Sequence, residues 1–189
     1  MEKTNYEVKN LEKVILISLL TFFIFLTRGT HLLTAISLPD ATFVLMFAGG
    51  MFLKDYKWLC YFLFISFGID FFSPPTELGN TYLFNLGYIG LFISYFMSWF
   101  LGRGLNPLSI FSLKRFLWLG SIFIISSYLI STITFYYFSG WEIQGGATNF
   151  LAKYYQEFFI VNVAYLAILF VSIKFFQVLL KRKNVHGYE

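Results

Sequence analysis

Charge is scarce in this chain. Asp, Glu, Lys and Arg make up only 13% of its 189 residues, about half of what a soluble domain carries. Cysteine and histidine are nearly absent. The single cysteine, Cys60, excludes a disulfide within the chain and a zinc site built on cysteines. With only His31 and His186 as histidines, and on opposite sides of the expected fold, no metal site is expected. No H-E-x-x-H, G-x-S-x-G or phosphate-loop pattern occurs, nor a carboxylate-rich helix. No catalytic residue is therefore assigned, the chain is expected not to be an enzyme, and no cofactor is expected.

What fills the chain instead is apolar. Hydrophobic residues make up 58% of it and aromatic residues 23%, and the mean hydropathy is +0.68. Such a composition reads as an all-α, polytopic integral membrane protein. Six apolar runs stand out, at about 14–37, 41–53, 58–72, 81–101, 116–138 and 155–180, in one membrane domain over 1–189. The first follows a mixed-charge head and has no A-x-A cleavage site, so it reads as a retained span. Pro39 ends it, and Asp40 stands where an N-cap is wanted for the second. Gly49 and Gly50 allow a close helix contact there, and Gly87 and Gly90 share a face in the fourth run. The stretches S-P-P-T-E-L-G-N (73–80) and W-E-I-Q-G-G-A-T-N, from Trp141, read as loops.

The net charge of +4 does not point to nucleic acid. Its distribution points to the lipid bilayer. Lys3, Lys9 and Lys13, then Lys54 and Lys57, then Arg103, Lys114 and Arg115, then Lys181, Arg182 and Lys183 fall on one side of a six-span arrangement. Only Arg28 and Lys153 fall on the other. The positive-inside rule then gives N-in and C-in, as in a bacterial inner (cytoplasmic) membrane.

Three ionisable residues resist a purely apolar reading. Counting from the nearest inner lysine, Arg28, Asp40 and Asp70 lie roughly 20–22 Å up their spans at a rise of about 1.5 Å per residue. One cation and two anions thus share a layer in the outer half of the membrane, where charges need partners or a task. One reading is a structural ion pair locking spans one to three. The other is a polar floor for an outward-facing pocket. Polar and aromatic residues gather on the same side, and the aromatic belt accounts for most of the tyrosines but not for the amides and carboxylates among them. His31, Asn85, Trp141, Glu142, Tyr155 and the span-embedded Asn162 are the candidate ligand-binding residues.

The architecture, six short spans with polar sequence gathered on the outer side, resembles the substrate-binding S components of energy-coupling-factor vitamin transporters. R-G-x-H at Arg28 to His31, L-P-D-A-T at Leu38 to Thr42, I-D at Ile69 and Asp70, and F-Y-Y-F-S-G at Phe135 to Gly140 resemble a family of small proteobacterial six-span membrane proteins labelled cobalamin-transport-related. The resemblance implies capture of a vitamin-type small-molecule ligand, cobalamin-related in that family. It also implies an energising membrane subunit and ATPase as partners. In S components the first span carries a small-xxx-small alanine motif for that docking, and V-I-L-I-S-L-L-T-F-F has none. The competing expectation is a small membrane scaffold or assembly subunit without a ligand of its own.

Overall fold

A computed structural model describes residues 10–28, 38–72, 86–106, 112–138 and 146–185. Among these the chain is all-α: α1 (Asn10–Arg28), α2 (Thr42–Phe52), α3 (Tyr56–Phe72), α4 (Gly87–Arg103), α5 (Leu113–Phe138) and α6 (Ala147–Val185). Two stretches are long and apolar enough to cross a membrane, Leu113–Phe138 and Ala147–Phe175. α2 is apolar but spans only 11 residues, about 17 Å of helix.

α2 is the innermost element. Nine of its residues are buried, and it touches α1, α3, α4 and α6. An apolar helix enclosed on all sides has no amphipathic stripe to show, and none is visible in T-F-V-L-M-F-A-G-G-M-F. Its tightest partner is α4, and the reason is the absence of side chains. A Cβ on Gly49 would strike the Trp99 ring, one on Gly50 the Trp99 carbonyl, and one on Gly102 the Phe47 carbonyl. Backbone thus meets backbone on both helices. The ring of Phe43 lies on Tyr95 at 4.9 Å, and Phe47 stacks on Phe123 of α5 at 5.0 Å.

α4 and α5 meet along Gly90, Ser94 and Ser98, a small residue every fourth position. Such a ridge lets helices approach closely. Ser98 Oγ lies 3.1 Å from Ser127 Oγ, and Ser94 Oγ donates to the Ser127 carbonyl at 3.3 Å. Gly90 faces Thr134, so these helices run antiparallel. α6 returns beside α5: Gly120 faces Leu166, and the Phe116 ring lies 5.4 Å from Phe170.

The element borders depart from the expected spans in three places. α6 begins at Ala147, where the sequence suggested a loop as far as Tyr154, so Thr148, Asn149 and Lys153 are helical. Asp40 is not the N-cap of α2; Ala41 is, one residue later. Of the remaining described helices, α1, α3 and α5 start two to four residues before the expected runs, α2 starts one after and α4 six after. At the other end of α2, Lys54 takes a positive φ of 62°. The guanidinium of Arg103 lies 4.3 Å from the ring centre of Tyr56, which gathers the basic residues at one end of the bundle.

Candidate functional site

The opposite end of the bundle is organised by Arg28. Its side chain is only 8% exposed, so each of its donors needs a partner within the protein. Nε donates to Asp70 Oδ1 at 2.7 Å and Nη2 to Asp70 Oδ2 at 2.5 Å, a two-pronged pairing of planar groups. Nη1 donates to Asp40 Oδ2 at 3.0 Å, to the Tyr95 hydroxyl, and at 3.4 Å to the Thr42 hydroxyl. The charged layer expected from the sequence is thus one connected network, with the cation bridging both anions.

Each carboxylate has further support. The Tyr88 hydroxyl donates to Asp70 Oδ2 at 2.5 Å. Asp40 Oδ1 accepts the backbone N–H of Thr42 at 2.8 Å and the hydroxyl of the same residue. From one residue ahead of the N-cap, Asp40 therefore still satisfies a first-turn donor of α2, and its charge sits at the positive end of that helix. The lead-in to α2 is held by two more bonds. Ala41 N–H donates to Thr27 Oγ1 at 3.3 Å, and the Tyr165 hydroxyl donates to the Pro39 carbonyl at 2.8 Å. Through Arg28, Thr42, Asp70, the two tyrosines of α4 and Tyr165, the network ties together α1, α2, α3, α4 and α6.

The two carboxylates differ in access. The Asp70 side chain is 19% exposed and that of Asp40 is 40%. Asp70 is the enclosed partner of the guanidinium, and Asp40 is the one that faces outward.

Beyond this layer α5 and α6 carry a run of packed rings. Tyr128 lies 5.9 Å from Tyr155 and 5.4 Å from Phe158; Tyr155 lies 4.5 Å from Phe159; Phe150 lies 4.8 Å from Tyr154 and 5.3 Å from Tyr136. Tyr155, expected as a wall of a loop-built pocket, belongs to this run on α6 and is 53% exposed. Asn162 is 2% exposed. Its Nδ2 donates to the Phe158 carbonyl at 2.9 Å, but its Oδ1 has no hydrogen-bond partner. Among the described residues two other buried polar atoms share that condition, Ser66 Oγ and Trp99 Nε1. His31, Asn85, Trp141 and Glu142 lie outside the described residues.

Tyr88, Tyr95 and Tyr165 were not among the sequence candidates. The seven-residue spacing of Tyr88 and Tyr95 puts both on one face of α4, and two hydroxyls on one face of an apolar span are a legible signal of a buried polar partner. Compared with family models the chain matches none, and compared with curated proteins it matches none.

Proposed function

We propose that the chain is a six-span inner-membrane protein, N-in and C-in, that captures a small vitamin-type solute from the outer side. The observation that carries this reading is a step in helix height at the charged layer. α2 begins at Thr42, beside Asp40. α4 continues 8 residues past Tyr95 to Gly87, and α6 continues 18 residues past Tyr165 to Ala147, about 12 Å and 27 Å respectively. The long helices thus form a rim above a floor of Arg28, Asp40 and Asp70. Non-helical backbone and a part-exposed carboxylate at membrane depth are tolerated where they line a watered cavity or are enclosed by protein, and Asp40 is too exposed for full enclosure.

The membrane part of the reading is supported by the outward surface. Phe64 and Phe72 on α3, Trp118 on α5 and Val171 on α6 are each more than 60% exposed, as suits side chains that meet lipid and not water. An energising subunit and ATPase as partners rest on the resemblance alone, and co-purification from native membranes tests them. Binding without catalysis is the simpler role for the carboxylates, since both are engaged by Arg28.

One observation favours the scaffold reading: the guanidinium finds its carboxylate partners within the chain, so the layer is stable without a ligand. Thermal-shift screening of the protein in nanodiscs against vitamins separates the two. A bound solute at 100 times its Kd stabilises by about 2.7 kcal/mol. A clear rise in Tm with one vitamin supports capture; no rise with any of them favours the scaffold.

A further inference from the structure

We infer that the captured solute is an organic cation that offers N–H donors, received by Asp40 and Asn162. This rests on the solute-binding reading and adds the chemical class.

The first observation is the charge count of the described network. Two carboxylates share one guanidinium, and the fork of Arg28 is spent on Asp70. Asp40 receives a single guanidinium N–H and is the more exposed of the two. The positive end of α2 offsets part of this excess through the Thr42 N–H on Asp40 Oδ1, while Oδ2 receives only the Arg28 N–H among the described residues.

The second observation is independent of charge. Asn162 shares a helix face with Phe158 and Tyr165, at spacings of four and three. The Phe158 ring lies 5.2 Å from Phe43, and the Tyr165 hydroxyl holds the Pro39 carbonyl. That face of α6 therefore lies on residues 39–43, the stretch that carries Asp40. Between those two anchors sits an amide that donates one N–H to the Phe158 carbonyl and whose own carbonyl oxygen is buried without a donor. A buried acceptor left unmet is costly and is a place where a donor is missing.

The outward side of Asp40 and the buried Oδ1 of Asn162 are both acceptors. Their complement is a donor, and the surplus carboxylate makes it a cationic one. The rings of Phe43, Tyr128 and Phe158 beside them suit a flat or cationic group. A carboxylate or phosphate solute would meet a carboxylate and a carbonyl, and is excluded by the same geometry.

The test uses the purified full chain in phosphatidylcholine nanodiscs, with three probes built on one ring: benzamidinium, phenyltrimethylammonium and benzoate. Calorimetric titration is expected to show benzamidinium binding at least tenfold tighter than phenyltrimethylammonium, which lacks N–H, and benzoate not binding. Asn162→Leu and Asp40→Asn are each expected to weaken benzamidinium at least tenfold. Asn162→Leu removes an unmet polar atom, so its fold is retained and its result is readable even where Asp40→Asn lowers Tm. Benzoate binding as well as benzamidinium, no binding of benzamidinium, or binding unchanged in Asn162→Leu overturns the inference. A vitamin that stabilises the chain equally with and without Asn162 overturns it too while leaving solute capture standing. Failure of every solute overturns both.

Discussion

Arg28 and Asp70 form the strongest single pairing at the charged end, and their removal is not symmetric with that of Asp40. Asp70→Asn leaves a guanidinium 8% exposed without its two-pronged partner. The expected cost is about 3–5 kcal/mol, read as a fall in Tm in detergent. Asp40→Asn is expected to cost less, since that side chain is 40% exposed and carries one guanidinium bond. Arg28→Lys should not restore the wild-type Tm, because an ammonium cannot make the fork to Asp70. Equal Tm for all four proteins would mean that the network carries no stability. The three charged residues were legible in the sequence because their distances from the inner lysines agree. That depth count missed Tyr95, for a geometric reason. Side chains tilt toward the N-terminus of their helix, and α4 runs opposite to α1, so Arg28 reaches down while Tyr95 reaches up. Equal depths of Cα atoms therefore missed a partner whose Cα lies deeper.

At the scale of elements, α2 and α4 are held at backbone distance by glycine. Gly50→Ala and Gly102→Ala each put a methyl against a carbonyl of the facing helix, which neither backbone can evade by a rotamer change. Each is expected to destabilise by about 1–3 kcal/mol or more. Gly68→Ala is the control, since nothing lies within 4 Å of its added Cβ. The turn after α2 offers the opposite effect. Lys54 occupies a left-handed conformation with φ 62°, which costs an L-residue roughly 1–2 kcal/mol. Lys54→Gly should raise Tm by an amount corresponding to about 1 kcal/mol; a fall would mean that the lysine side chain contributes more than the strain. The glycine pair of α2 was readable as a contact site from sequence. The ridge Gly90, Ser94 and Ser98 was read only at its first member, because serines in an apolar span look like isolated polar residues until their four-residue spacing is counted.

Across the whole molecule, hydropathy located the apolar runs well and the helix ends less well. The reason is visible in α6. Its first turns carry Thr148, Asn149 and Lys153, polar residues that read as loop, yet the helix includes them. Hydropathy follows apolar runs, whereas a helix continues through polar turns; in the proposed reading these first turns of α6 belong to the rim. The expected topology is testable apart from the site: a reporter fused after Lys183 should read as cytoplasmic. An external reading would put the Arg28 end on the inner side and remove the basis for capture from outside. Sidedness and site meet in one measurement, equilibrium binding of a vitamin that raises Tm to right-side-out and inside-out membrane vesicles containing the wild-type chain or Asn162→Leu. The account predicts saturable binding to right-side-out vesicles, none to inside-out vesicles, and at least a tenfold loss with Asn162→Leu. Binding confined to inside-out vesicles, or absent from both, would contradict it.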